Sequence, residues 1–272
     1  MTPILATLVL PLALFQGTRK EAPPKDLIGV RIDQRLGAQV PLDLKFKDSR
    51  GKELALGDLF DGEKPVVLTL NYSSCPQLCS LQLNGLVEAL QEMDWAPGKE
   101  FRVLTVSIDP RETPEVAAST KRAYLEQLEG DSLEEGWRFL VGDESSIRRL
   151  ASTVGFGYRF IPERNEFAHK AALIFLDPHG KVTRYLANVV YKPTDLKFAL
   201  VESGKGKVGS FLDQIFLSCF RYDSASGSYV PVAWKIMRLG GVLILLLVGG
   251  GLVGFWRLER RRAARRLEQG SC

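Results

Sequence analysis

Long aliphatic runs alternate with helix-like segments through the middle of the chain, and this alternation restricts the fold more than any other feature. The runs 65–72 (PVVLTLNY) and 101–109 (FRVLTVSID) are nearly continuous in β-branched and aliphatic residues, as strands covered on both faces are. Each is followed by a segment with apolar residues at helical spacing, 78–93 and 113–129. The alternation predicts a three-layer α/β fold with a mixed central sheet.

The same patterns predict further helices and strands over the rest of the domain. In the first helix we expect Leu78, Leu81, Leu86 and Leu90 to share the buried side, and Thr113 is suited to cap the second helix. The other expected elements are a hairpin over 39–56, a strand at 137–143, a helix at 144–155, a closing hairpin over 170–177 and 181–190, and helices at 193–203 and 210–220.

Cys75 and Cys79 are the only close pair among the four cysteines, in NYSSCPQLCS at the expected junction of strand and helix. In open α/β sheets, chemistry gathers beyond the carboxyl ends of the parallel strands, which places this loop in the expected site. Unpaired N–H groups at a helix start favour thiolates. If the segment is partly helical, two thiolates four residues apart can point the same way and share one ion.

The cysteine spacing alone leaves three interpretations open, namely a metal site, a dithiol–disulfide redox couple, or a static disulfide or pair of buried thiols. His169 stands just before the run 170–177, and in a thioredoxin-like sheet the loop entering that strand lies beside the cysteine loop. Cys75, Cys79 and His169 are therefore the candidate ligand set. Zinc normally takes four ligands, whereas three soft ligands suit copper better. The second histidine, His179 in DPHG, is interpreted as a solvated turn residue.

A second constraint lies near the carboxyl terminus. Residues 239–256 (LGGVLILLLVGGGLVGFW) carry no charge over eighteen positions, about the minimum length of a helix that spans a bilayer. The segment RLERRRAARR follows at once, and positive charge at one end marks the cytoplasmic side. We therefore expect a single C-terminal transmembrane helix, with the carboxyl terminus in the cytoplasm and the functional domain on the periplasmic side of the cell inner membrane.

Such a topology requires export of the amino terminus. Residues 4–15 are an apolar stretch of signal-peptide length, although no Lys or Arg precedes them and no clean cleavage site follows. The expected organisation is a signal peptide or N-terminal hydrophobic segment (1–17), a linker (18–37), the globular domain (38–222), a juxtamembrane segment (223–238), the transmembrane helix (239–256) and a basic cytoplasmic tail (257–272).

The charge distribution argues against a nucleic-acid partner. The net charge of +4 is accounted for by the six arginines and two glutamates of residues 257–272, so the rest of the chain is neutral overall. Gly250 and Gly254 form a small-xxx-small pair that permits helix packing, and we expect a monomer or weak dimer.

The segments YSSCPQLCS and VSIDPRETPE, the His169 loop and LDPHGKV resemble the Sco/SenC family of copper proteins in order and spacing, over about residues 35–222. The resemblance implies a thioredoxin fold and copper, as Cu(I) or Cu(II), bound by Cys75, Cys79 and His169. It implies a role in assembling the dinuclear copper centre of cytochrome c oxidase subunit II or a similar acceptor, with a copper donor protein as a further partner. Reduction of that subunit's cysteines is a related role. The stretch 219–229 resembles bacterial members that carry a carboxyl-terminal membrane helix.

Asp109, in SIDP, matches an acidic family position and is expected to support the ligands from behind. A turn or capping role before Pro110 is an equally good interpretation. The chain departs from the family pattern at Ser80, where a proline is common, and at Ala168, where an acidic residue often precedes the histidine. Glu166 is the candidate replacement for that missing acid.

The main rival function is a membrane-anchored thiol-disulfide oxidoreductase of the thioredoxin or TlpA type. Those proteins have two residues between the cysteines and a cis-proline before the strand that corresponds to 170–177. Here three residues intervene, and Ala168 and His169 stand where the proline would be. Cys219 is left open as a buried thiol, an auxiliary metal contact or neither.

Overall fold

The protein is described from a computed structural model, which covers residues 27–74, 78–204, 220–223 and 228–269. The strands are β1 (Lys45–Asp48), β2 (Glu53–Ala55), β3 (Val66–Asn71), β4 (Arg102–Ser107), β5 (Trp137–Val141), β6 (Arg159–Ile161), β7 (Glu166–Ala168), β8 (Leu173–Leu176), β9 (Val182–Leu186), β10 (Phe220–Asp223) and β11 (Ser228–Pro231). The helices are α1 (Leu78–Gln91), α2 (Pro114–Leu125), α3 (Leu133–Gly136), α4 (Glu144–Thr153), α5 (Pro193–Ser203) and α6 (Ala233–Gln269).

A seven-stranded sheet in the order β2-β1-β5-β4-β3-β8-β9 forms the centre of the domain. Strands β3, β4 and β5 are parallel, and the pairs β1–β2, β1–β5, β3–β8 and β8–β9 are antiparallel. The sheet is therefore mixed, as the sequence predicts. Parallel neighbours cannot be joined by a tight turn, and α1 and α2 make the two crossovers between β3, β4 and β5.

Two apolar clusters on opposite faces of the sheet give the three layers. Successive residues of a strand point to opposite faces, so Leu68 joins one cluster and Val67 the other. The Leu68 cluster includes Ile147 of α4. The Val67 cluster includes Leu86 of α1 and Leu196 of α5. The fold is the predicted thioredoxin-like one.

Two small hairpins were not predicted. β6 and β7 pair with each other in a segment that the sequence indicated as a loop. The turn at Pro162–Asn165 divides this segment into strands of only three residues, which are too short to be recognised in the sequence. β10 and β11 pair likewise, and Phe220 begins a strand instead of ending the predicted helix 210–220. The rest of that predicted helix lies outside the described residues.

The buried side of α1 also differs from the prediction. Leu81 is 53% exposed, whereas Cys79, Gln82 and Leu86 are buried. Leu86 and Leu90 are buried as predicted, so the prediction fails at Leu81, and its neighbour Gln82 lies on the buried side instead. Thr113 precedes α2 at the capping position, but its side chain makes no capping hydrogen bond.

The ends of the predicted domain are attached more tightly than a linker and a juxtamembrane segment would suggest. Ile32 forms a β-bridge with Phe156, inside the predicted linker. At the other end, the hydroxyl of Tyr229 in β11 donates to Glu202 of α5 at 2.7 Å. The predicted boundaries otherwise remain predictions.

Helix α6 contains one stretch, Gly240–Arg257, that is long and apolar enough to cross a membrane by length and composition, and none of it is buried. It differs from the predicted span by a single residue at each end. The orientation of the helix in a bilayer remains a prediction.

Candidate metal centre

Cys79 lies in the first turn of α1, at the carboxyl end of the central strand β3. Its side chain is buried, and the backbone N–H of Tyr72 donates to Sγ at 3.5 Å. The sulfur of Cys79 therefore lies in the interior of the domain, just beyond the carboxyl end of β3. Cys75, the other predicted sulfur ligand, lies outside the described residues.

His169 reaches Cys79 from a distant part of the chain. It follows β7 directly, is 7% exposed, and its Nε2 lies 3.0 Å from Sγ of Cys79, although 90 residues separate the two. The structure thus brings together two of the three predicted ligands. Their role as ligands remains a prediction.

The imidazole of His169 is held by its second nitrogen. Nδ1 lies 3.1 Å from the backbone oxygen of Lys170, and a carbonyl can only accept, so the proton is assigned to Nδ1. Nε2 is then the nitrogen that faces the sulfur. The rings of Tyr72 and Phe156 pack around the imidazole at centroid distances of 6.0 and 5.8 Å. A histidine supported in this way has a fixed tautomer and orientation, as metal-binding histidines usually have.

Glu166 does not provide that support. Its carboxylate lies 3.8 Å from the guanidinium of Arg164, and the contact to Nδ1 comes from the main chain of Lys170. The suggestion that Glu166 replaces the missing acid before the histidine is therefore wrong.

Asp109 is buried, but its hydrogen bonds favour the turn interpretation. Its carboxylate accepts from the backbone N–H of Arg111 at 2.9 Å and from the guanidinium at 2.7 and 2.6 Å. Hydrogen bonding to Asp109 raises the pKa of Arg111. The same guanidinium donates to Asn165 and lies over the ring of Phe160, in the β6–β7 hairpin that leads to His169. Asp109 is thus connected to the hairpin before His169 through the side chain of Arg111.

Glu112 is the acidic residue that contacts the cysteine loop, and sequence reasoning missed it. Its Oε1 accepts from the backbone N–H groups of Ser73 and Ser74 at 2.5 and 3.2 Å. It stands in the same VSIDPRETPE segment that supported the family resemblance. Nothing in that pattern separates it from an ordinary solvated loop residue.

His179 is exposed, and its backbone N–H donates to Asp177 at 2.9 Å, so the prediction of a solvated turn residue is confirmed. Cys219 and Cys272 lie outside the described residues.

The donor set suits a soft metal. Within the described parts of the chain, no group of three or more His, Cys, Asp or Glu side chains could hold a metal ion. Cys79 and His169 supply one sulfur and one oriented imidazole nitrogen, a combination that fits copper or zinc. A third protein ligand would have to come from the residues that are not described, where Cys75 stands.

Comparison with known proteins points to one family. The family model described as SCO1/SenC matches residues 34–197. No curated protein sequence matches the chain closely enough to count as a relative.

Solved structures match a similar share of the chain. A candidate electron-transfer protein from Aquifex aeolicus shares 27% sequence identity over 62% of this chain and 94% of its own, with a TM-score of 0.55. A second Aquifex aeolicus structure, a candidate electron-transport protein, shares 27% identity over 62% of this chain and 98% of its own, with a TM-score of 0.51. Arabidopsis thaliana ScoI with copper bound shares 16% identity over 60% of this chain and 96% of its own, with a TM-score of 0.49.

Proposed function

The chain belongs to the SCO1/SenC family, and we propose that it binds copper through Cys75, Cys79 and His169 and serves the assembly of the dinuclear copper centre of cytochrome c oxidase. The observation that carries the proposal is the 3.0 Å contact between Nε2 of His169 and Sγ of Cys79. The two residues are 90 positions apart in sequence, both are buried, and both are metal-binding types, so their meeting beyond the carboxyl end of β3 supports a shared metal.

The chemistry of the two donors supports copper as the cargo. Thiolate sulfur favours Cu(I), and imidazole nitrogen extends the site to Cu(II). The carbonyl of Lys170 keeps the proton on Nδ1, so the lone pair of Nε2 is directed towards the sulfur. Burial of both side chains keeps competing water away from the donors.

The apolar stretch of α6 favours a copper acceptor that is located at a membrane. We infer that α6 anchors the domain on the periplasmic side of the inner membrane, because the arginine-rich end of the helix marks the cytoplasmic side. A copper acceptor such as subunit II, and a copper donor, would then meet the domain outside the cytoplasm.

The test is copper binding by the full chain, reduced and in detergent, with His169→Ala and with His179→Ala as its matched control. We expect one copper per chain. Loss of the imidazole should weaken Cu(II) binding by more than about tenfold while the two thiolates still hold Cu(I). His179→Ala should bind both ions as the unmodified chain does. Equal Cu(II) affinity in the His169→Ala and unmodified chains would refute the ligand assignment.

Two further measurements address the role of the site. Copper transfer to a purified, copper-free acceptor domain, followed by the acceptor's absorption spectrum, tests the assembly role. If the reduced chain instead reduces the acceptor's disulfide and binds neither copper ion, the thiol-disulfide oxidoreductase is the better description.

A further inference from the structure

Gln82 is a buried polar residue that the proposed copper site does not use directly. It lies one helical turn after Cys79 on α1 and is fully buried. Its Nε2 donates to the backbone oxygen of Ala172 at 2.9 Å, while within the described parts of the chain its Oε1 makes no hydrogen bond of ordinary geometry. A buried amide with one unmade hydrogen bond is costly, and an apolar side chain of this size would avoid that cost. The hydrogen bond to Ala172 offsets part of that cost.

The carbonyl of Ala172 needs this donor because of where the sheet pairing stops. β8 pairs with β3 from Leu176 back to Ile174, and the segment 169–172 runs on beyond the last paired residue. The carbonyl of Ala172 therefore has no ladder partner on β3. Ala172 is also buried, so its carbonyl has no access to water. Buried backbone oxygens almost always find a donor, and here Gln82 supplies it.

Together, Gln82 and Cys79 make two contacts with one short segment. Cys79 and Gln82 are three residues apart and share the buried side of α1, and their partners, His169 and Ala172, are also three residues apart. A single contact would fix a distance but allow the segment to pivot. Two contacts also fix its direction, and hence the direction in which Nε2 points.

We propose that Gln82 is a positioning residue, which holds segment 169–172 against α1 so that the His169 imidazole faces the sulfur of Cys79; this inference rests on the proposed copper site. Its effect should be confined to the ligand that it places. The affinity for Cu(II), which needs the imidazole, should therefore depend on Gln82, and the affinity for Cu(I) should not.

The chain offers a matched control for the substitution. Gln91, on the same helix, also donates from its side chain to a backbone oxygen, that of Gln127 at 2.8 Å, but on the surface. Methionine keeps the length and helix propensity of glutamine and removes the donor. In the full chain in detergent, Gln82→Met should weaken Cu(II) binding about 5- to 20-fold, and Cu(I) binding less than about threefold. Gln91→Met should change neither by more than about twofold.

The same substitution in a His169→Ala background separates positioning from a general loss of structure. With the imidazole removed, Gln82→Met should leave the residual Cu(II) affinity within about twofold, since residues that act as a unit are not additive. Equal weakening in both backgrounds would show that Gln82 acts on the thiols or on the fold, and would overturn the proposal.

A measurement without copper keeps this proposal separate from the copper site itself. With only two histidines, selective ¹³C-histidine labelling gives two sets of ring signals, and His179→Gln assigns them. The His169 signals report its packing between Tyr72 and Phe156. Gln82→Met should shift or broaden them and leave the His179 signals in place. Unchanged His169 signals would refute the positioning role. If the signals shift but the unmodified chain proves unable to bind copper, the copper site is refuted and the positioning role of Gln82 is not.

A second variant covers the case in which methionine prevents folding. Gln82→Asn keeps a buried amide but shortens its reach by one methylene. It should reproduce the loss of Cu(II) affinity and the shift of the His169 signals, and normal values of both would again contradict the proposal.

Discussion

The carboxylate of Glu112 accepts a hydrogen bond from the backbone N–H of Ser73 at 2.5 Å, so the loop after β4 holds the loop after β3. The second carboxylate oxygen lies 3.3 Å from the hydroxyl of Ser73, and Ser74 donates to the first. One side chain therefore satisfies two backbone donors just before the cysteine segment.

Glu112→Ala should loosen this loop. We expect the amides of Ser73 and Ser74 to exchange with solvent about tenfold faster, because each loses a hydrogen bond to a charged acceptor that contributes on the order of 1.5 kcal/mol. Amide hydrogen exchange of the copper-free chain measures this directly. Glu115→Ala, an exposed acid three residues later, is the control. Unchanged exchange at both serines would argue against the contact.

Arg111→Met should destabilise the domain, because it leaves the buried carboxylate of Asp109 without its partner. Denaturant unfolding measures the difference. The double variant Arg111→Met, Asp109→Asn should recover part of the loss, since the uncompensated charge is gone. If the two single losses simply add, the residues do not act as a pair.

Asp143 should give the stability a dependence on acid pH. It caps α4 by accepting from the backbone N–H of Ser146, and hydrogen bonds, first from the Ser145 hydroxyl, lower its pKa from 3.8 to about 2. Because the folded pKa is the lower one, the contribution is complete above pH 4 and is lost as the pH falls towards 2.

Asp143→Ala should accordingly cost about 1 kcal/mol at neutral pH, and its difference from the unmodified chain should shrink between pH 4 and pH 2. Thermal unfolding at a series of pH values measures this. Asp143→Asn keeps a neutral cap and should show no such trend relative to Asp143→Ala. A difference that stays constant down to pH 2 would contradict the assignment.

Gly85→Ala should destabilise the domain by about 1–3 kcal/mol, although the same change at an exposed helix position would stabilise by about 1 kcal/mol. A Cβ at this position would lie 1.9 Å from the backbone oxygen of Val189, so α1 cannot keep its place against that loop. Asn84→Ala, on the exposed side of the same turn, is the control. Urea unfolding that ranks both variants as neutral would show that the loop yields freely.

The central strands β3, β4 and β8 could be predicted because they are buried on both faces. In β3 every residue is buried, so the aliphatic run itself indicates the strand. The hairpin β6–β7 could not be predicted, because strands of three residues are too short to show a period and Asn165 takes a left-handed backbone conformation, with φ of 53°, in the turn. The prediction of which side of α1 is buried was wrong at Leu81, because nothing in a single sequence distinguishes an exposed leucine from a buried one.

The candidate site was predictable only in its most reactive residues. Cysteines are rare and histidines rarer, so Cys79 and His169 stand out in a single sequence. Their supports do not, because Lys170 contributes a backbone oxygen and Gln82 is one glutamine among several. Asp109 attracted attention as an acid in a family segment, but its contacts are with Arg111. Such roles depend on which chain segments meet, and that is a property of the fold.

The hydrogen bond between Nδ1 of His169 and the carbonyl of Lys170 has a consequence for how such chains diverge. Every residue type carries the same carbonyl, so substitutions at position 170 can leave the imidazole supported. Position 168, where an acid often precedes the histidine in the family pattern, is alanine in this chain. A sequence pattern that requires an acid before the histidine would therefore pass over this chain, in which a main-chain oxygen holds the imidazole.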